Sequence, residues 1–527
     1  MKKTAGVMGA LSGTFLLAAT AAAEESGGFL DGVTKVNNAV NGVVWGIPAL
    51  ALLAFVGVLM TVVTKVFQVS HFGHWMKKTI GAVFKDKHVT THTKDKSISQ
   101  FQSLCTALAA TVGTGNIVGV AGAILMGGPG AVFWMWVMAF LGMMTNYSEN
   151  VLGIFYRRKN SKGEWSGGAM YYLRDGLGSK KGCRVIGLVL AGLFSFFCLV
   201  ASFGIGNMTQ VNAISGNMLN VFGIPTWVTG LVIMILVGLV VVGGLKRIAA
   251  VTEKIVPFMV IIYMIGTITI FFLHIDHFGA VFSAIFRGAF GAQAAAGGVV
   301  GYGIKLAIEW GMKRGVFSNE AGLGSSVMVH SNSNVKEPVK QGMWGIFEVF
   351  ADTIVVCTLT AFAILSSGLI NLETGKLADA FSTLTKNDLV ATVFEQKFGV
   401  IGSGFIAVSI MLFAFSTVLG WSHYGTKACE YMLGEKWTIV YRILFVICVF
   451  GGAVMGDNLA WDLADTFNGL MMIPNLIGVI VLSGTVAKIT KNYINRTFRG
   501  STEKPMYSAF PDIQAEQEAA PESGEDQ

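Results

Sequence analysis

Long, nearly charge-free apolar runs separated by short polar segments dominate the chain, as at Ile47–Val63, Val185–Ser202, Thr229–Gly244 and Val256–Leu273. Each is close to the ~20 residues that carry a helix across the hydrocarbon core of a bilayer. Hydrocarbon offers no hydrogen-bond partners, so a spanning segment must satisfy its own backbone, and this pattern does so as helix. The runs predict eleven spans, at roughly 43–67, 101–126, 130–156, 184–211, 227–245, 253–273, 290–313, 341–366, 401–430, 438–455 and 461–487. Residues 43–490 thus read as one all-α polytopic membrane domain.

Two spans are interrupted where an unsatisfied backbone group is most costly. The first break is Val112-Gly113-Thr114-Gly115-Asn116, inside AATVGTGNIVGVAG (109–122). The second lies within 293–303, around Gly297 and Gly298. With the first span set aside, ten remain, five starting from each face, and each set opens with its glycine-interrupted helix. That is the arrangement of a 5+5 inverted repeat with one additional N-terminal helix, and paired interruptions in its halves point to a transporter binding site. A break exposes free N–H groups that suit a carboxylate and free carbonyls that suit a cation. Thr111, Thr114 and Asn116 add side-chain donors and acceptors. Glycine is also common where membrane helices pack closely, so GxG alone carries less than the pairing does.

Composition agrees with the span pattern. The 527 residues are 53% hydrophobic and 13% charged, with mean hydropathy +0.61, against about 25% charged in soluble domains. The net charge of +7 follows loop position and implies no nucleic-acid partner. Segments 65–100, 157–184, 246–254, 305–340, 427–442 and 486–504 hold 31 Lys and Arg; the opposite-side connections hold only Lys35, Arg287, Lys376, Lys386 and Lys397. The positive-inside rule then predicts an N-terminus outside and a C-terminus in the cytoplasm.

Residues 1–23 fit a cleavable signal peptide, with an uncleaved anchor helix as the alternative. Residues 24–42 follow as a short periplasmic segment. Residues 491–527 read as a polar, disordered cytoplasmic tail. The outer connection 367–400 contains an amphipathic pattern through Leu377, Ala380, Phe381 and Leu384, either a lid or a surface helix. The six scattered cysteines have no metal-ligand spacing.

Acids inside spans are costly and usually functional. Glu149 and Asp352 are such acids, each with a polar neighbour on its own helix face, Asn146 and Glu348. Glu149 suits structure or gating; Asp352 suits cation coupling or a bond to backbone. Asn319 and Glu320, in FSNEAGLGSS, suit a tightly packed inner gate near Arg314, or a helix cap built by Ser318.

The runs TALAATVGTGNIVGVAGAI, GGPGAVFWMWVMAFLGMMTNYSENVLGIFYR, GGAMYYL and GVFSNEAGLGSS resemble the alanine or glycine:cation symporter family of prokaryotes, and the resemblance extends from about Val43 to Lys491. It implies a LeuT-like fold in a bacterial plasma membrane, and import of alanine or glycine with sodium, or in some members protons. It places the substrate at Gly113–Asn116, with Gln210 as a polar partner. It also implies a sodium site between Ser416 and Thr417 and the carbonyls near Ala110 and Gly113. No cofactor is implied. A channel would show polar pore rings or a repeated filter, and an enzyme or pump would show HExxH, GxSxG or a Walker sequence; none is present.

Overall fold

The computed structural model describes residues 29–92, 96–291, 300–455 and 458–519. Helices α1 (Phe29–Val44) and α2 (Ile47–Val63) come first; Pro48 sits in the opening turn of α2, where its missing N–H has no partner to lose. Helix α3 (Gln100–Thr111) begins at a capping box in which the Ser99 hydroxyl accepts from the Gln102 N–H at 3.1 Å, and the Gln102 side chain accepts from the Ser99 N–H at 3.2 Å. It stops at Thr111, and α4 (Val118–Gly127) resumes after one tight turn over Thr114–Asn116. Next come α5 (Gly130–Phe155), then α6 (Arg184–Phe203), which runs through a wide turn at Gly204–Met208 into α7 (Thr209–Phe222). Helices α8 (Thr226–Val241) and α9 (Gly244–Leu273) complete the first set.

The second set repeats the plan. After α10 (Phe278–Phe290) comes α11 (Val300–Asn319), an unwound stretch, and the short helix Val327–His330. Helix α12 (Pro338–Val349) passes through a wide turn at Phe350–Cys357 into α13 (Thr358–Ser366). There follow α14 (Lys386–Phe398), α15 (Val400–Leu433), α16 (Thr438–Val454), α17 (Asn458–Val481), α18 (Ser483–Phe498) and α19 (Pro511–Ala519).

The interrupted helices occupy the middle of the bundle. α3 packs on α9 and α15, α4 on α11, and α5 on both α11 and α12. α6 lies against α15 and α17, while α8 pairs with α16. Among the described residues, seven helices are long and apolar enough to cross a membrane. Apolar stripes at helical spacing face outward, such as Trp227, Leu231, Ile235 and Leu239 on the shorter apolar helix α8 and Val440, Ile443, Leu444 and Ile447 on α16. Stripes this large are unfavourable in water and suit contact with lipid tails.

One sequence expectation falls outside the described residues and three change. The expected second break at Gly297 and Gly298 lies outside the described residues, as does residues 1–23; within them, the interruption falls at Glu320–Ser326. Lys305, Lys313 and Arg314 do not share a face with the basic loops. Leu306 and Trp310 pack on Gly127 at the far end of α4, and Lys313 and Arg314 stand within electrostatic reach of Lys386 from the outer connection. Hydropathy ended this helix too early, and moving the three cations leaves 28 against 8. The 377–384 stretch holds only a tight turn at Asp379–Phe381; the helix is α14, begun by Thr385 and burying Leu389, Val390, Val393 and Phe394. Finally, the tail is ordered through Ala519. The Ala509 N–H donates to the Phe155 carbonyl at 2.9 Å, the Arg158 guanidinium lies 3.8 Å from the Phe510 ring centre, and Ile513 is buried.

Candidate functional site

The first break is shaped by one side chain. Asn116 is fully buried; its Oδ1 accepts from the Gly113 N–H at 2.9 Å, closing the turn, and its Nδ2 donates to Asp352 Oδ1 at 2.6 Å. Asp352, in the wide turn between α12 and α13, also accepts from Ser318 Oγ at 2.8 Å and Thr353 Oγ1 at 2.7 Å. The carboxylate therefore joins the first break to α11. Asn116 does not line the cavity described below; its side chain holds the loop that does.

Gly113 faces the Thr417 hydroxyl on α15 so closely that a Cβ would collide with it. The Thr417 hydroxyl donates to the Phe413 carbonyl at 3.0 Å. The neighbouring Ser416 hydroxyl donates to Phe413 at 2.8 Å and reaches the Ala109 carbonyl at 3.3 Å. The Ser416 hydroxyl thus stands against the Ala109 carbonyl of α3, with the Thr417 hydroxyl beside Gly113, uncharged oxygens of the kind a hard monovalent cation takes. Ala110 and Gly113 lie on the same side of the break as expected, with Ala109 nearer to Ser416.

In the second break Glu320 has φ +55°, a left-handed conformation rare for a side chain larger than glycine's, and Gly322 and Gly324 follow at +93° and +75°. The Glu320 carboxylate accepts from Trp421 Nε1 at 2.9 Å and from Ser325 Oγ at 2.5 Å. Asn319 caps the bend, its Oδ1 accepting from the Ala321 N–H at 3.0 Å and its Nδ2 donating to Thr353 at 3.0 Å. Glu149 acts on the same loop through α17: Asn475 Nδ2 donates both to Glu149 at 2.5 Å and to the Gly322 carbonyl at 2.9 Å.

Both breaks meet at one small cavity of about 20 Å³, a space on the scale of about one water molecule. Thr111, Gly113, Thr114 and Gly115 line it from the first break, with Ala110 beside them; Phe317 and Glu320 line it from the second. Ile205 and Gln210 close one side, and Thr417, Trp421 and Asn468 another. The Thr114 hydroxyl donates to Gln210 Oε1 at 3.0 Å, and Gln210 Nε2 donates to the Ile205 carbonyl at 3.0 Å. One turn from Asn468 on α17, Asp465 receives the Lys313 ammonium at 3.3 Å and the Asn41 amide at 3.2 Å.

Sequence reasoning thus brought Thr111, Gly113, Thr114, Gly115, Gln210, Ser416 and Thr417 to one place. Glu320, expected near an inner gate, lines the cavity. Sequence reasoning missed Ile205, Phe317, Trp421 and Asn468. Trp421 stands one helical turn after Thr417 and Asn468 is an amide inside an apolar span, so both carried a usable signal.

Two opposed five-helix sets whose interrupted helices meet at a central cavity define a transporter of the LeuT-like class. The complex of MhsT with L-phenylalanine shares this fold, with TM-score 0.50 and 13% identity, covering 76% of this chain and 99% of MhsT. The chain belongs to the sodium:alanine symporter family, whose model matches residues 30–508. It is 42% identical over 464 residues to the sodium/alanine symporter AgcS of Methanococcus maripaludis, covering 88% of this chain and 98% of AgcS. It is 34% identical to the putative sodium/proton-dependent alanine carrier YrbD of Bacillus subtilis, over 88% and 92% of the two chains. It is 36% identical to the probable sodium/glutamine symporter GlnT of the same organism, over 87% and 90%.

Proposed function

We propose that the chain is a secondary symporter that imports alanine, and the smaller glycine, together with sodium across a bacterial plasma membrane, with its N-terminus outside and its C-terminus in the cytoplasm. The observation that carries this reading is the apposition of Gly113 and Thr417 at the point where both helix breaks reach one cavity. The free N–H groups of the first break suit the substrate carboxylate. Glu320, the one carboxylate of the cavity wall, suits its ammonium. Sodium held by Ser416, Thr417 and the α3 carbonyls would fix the end of α3 and so order the loop that the amino acid uses. Rocking of the helix sets would then expose the cavity to each side in turn.

At about 20 Å³ the cavity must widen for any amino acid, and the bulky Phe317 and Trp421 in its wall suit a small side chain such as that of alanine. Asp352 supports a positioning role, because its oxygens already hold Asn116, Ser318 and Thr353. The test is uptake of labelled L-alanine into proteoliposomes under separate sodium and proton gradients. Sodium-driven accumulation, competed by glycine and not by glutamine, is expected; accumulation under a proton gradient alone would contradict the sodium assignment.

A further inference from the structure

A second cavity, of about 400 Å³, opens on the face that carries the basic loops, at the opposite end of α3 from the first break. Four segments meet there: the short helix Phe72–Lys78, the start of α3 at Gln100, the turn from Asn334 into α12, and α18 through Arg496. Arg496 is engaged by Glu337 at 2.5 Å. Lys78 and Lys340 bring positive charge to the same space; among the described residues neither makes a direct ion pair, and Lys340 acts on Glu337 at longer range. Asp86 also lines the cavity, but its carboxylate caps the helix Lys87–Thr90 by accepting from the His88 N–H at 2.9 Å. His74, whose ring bonds Tyr493 in the cavity wall, is pushed down to about 4 by burial and then by Lys78, His71, Lys77 and Lys340.

The wall also presents two acceptors that find no donor among the described residues. Glu337 is only 6% exposed, and its Oε1 is unpartnered while Oε2 holds Arg496; Asn334 Oδ1 is likewise buried and unpartnered. Buried polar atoms are nearly always satisfied, so orphan acceptors in a polar cavity call for a ligand that donates. Ammonium groups suit phosphate oxygens, and the orphan acceptors suit hydroxyls on the same molecule.

We propose that this cavity binds a glycerophosphate group, with the phosphate between Lys78 and Lys340 and the hydroxyls on Glu337 and Asn334. Two sources share that chemistry: the headgroup of phosphatidylglycerol and soluble glycerol 3-phosphate. Bound there, the group ties the first basic loop to α12 beside the start of α3, whose Gln100 Oε1 already accepts the Trp344 indole N–H of α12 at 3.0 Å. It therefore favours the arrangement in which α3 is closed on this face. That consequence rests on the alternating-access reading above; the binding itself does not.

The experiment is a thermal-unfolding titration of the full chain in phosphatidylcholine nanodiscs, with phosphatidylglycerol in one series and glycerol 3-phosphate in another. The wild type and the charge-matched control K180Q/K181Q should show a saturable rise in Tm. K78Q/K340Q should need about tenfold more ligand, the size of losing one to two charge-assisted contacts. Asn334→Leu, which leaves every charge in place, should shift the curve in the same direction. A response to the lipid alone assigns the ligand to the bilayer, and a response to the soluble compound alone assigns it to the aqueous phase. No response to either, or equal responses in K78Q/K340Q and the control, overturns the site. Native mass spectrometry of the wild type, counting retained phosphatidylglycerol or glycerol 3-phosphate, decides the matter should K78Q/K340Q fail to fold. Alanine uptake is read separately, so a failed transport assay leaves the binding result standing.

Discussion

The Asn116 amide donates to the Asp352 carboxylate at 2.6 Å, joining the first broken helix to the α12–α13 turn. The same Asn116 side chain closes the break by accepting from the Gly113 N–H. One residue therefore couples loop shape to loop anchorage. Asn116→Ala removes both bonds and leaves a buried carboxylate short of a donor, at a cost of about 2 kcal/mol. Unfolding in detergent should register that loss, and alanine uptake should fall by about tenfold or more as the ordered loop becomes a minor state. Wild-type uptake in Asn116→Ala would show that the loop is held by other contacts.

The Gly113 and Thr417 pair makes a two-way prediction. Gly113→Ala drives a methyl group into the Thr417 hydroxyl and should abolish uptake. Adding Thr417→Ala removes the colliding oxygen, so the double variant should recover thermal stability. It should not recover sodium dependence, because one of the proposed ion ligands is gone. Stability and coupling would be read on the same preparations, by unfolding and by uptake under a sodium gradient.

Ile205 walls the cavity on the side of α6, within a turn whose carbonyl is already bound by Gln210. Ile205→Ala adds room for about three methyl-sized groups without touching a polar contact. Competition against labelled alanine should then show larger neutral amino acids gaining relative to alanine. An unchanged order of competitors would place the size filter elsewhere, at Phe317 or Trp421.

His74 gives a pH signature outside the membrane spans. Burial, then Lys78 and its neighbours, pushes it down to about 4 from the ordinary 6.5. As pH falls from 6.5 the unfolded chain takes up a proton that the folded chain refuses, so stability present above that pH is lost down to about 4. His74→Gln should flatten the decline of Tm over this window. An identical decline in the variant would assign it to other groups.

Much of the transport site was legible because its signals are local. Glycines and hydroxyls at 111–115 marked a break in an otherwise apolar helix, and Gln210, Ser416 and Thr417 were polar residues in apolar surroundings. The bonds of Asn116 were not legible because sequence shows its donor and acceptor without their direction; both are spent on Gly113 and Asp352. The cavity position of Glu320 was not legible because α11 runs on to Asn319, beyond the end that hydropathy suggested, which brings Glu320 to the cavity wall. The docked tail was invisible for a different reason. Its contacts rest on Phe510, Ile513 and a backbone bond to Phe155, too few apolar positions to make a period.

The central claim is that a cation held by Ser416 and Thr417 against the end of α3 orders the loop that binds the amino acid. Alanine affinity of the purified protein, measured by calorimetry at increasing sodium, tests it most directly. The account predicts that sodium tightens alanine binding in the wild type and that Thr417→Ala abolishes this linkage while the protein stays folded. Alanine binding that is equally tight without sodium, or a linkage that survives in Thr417→Ala, would contradict it.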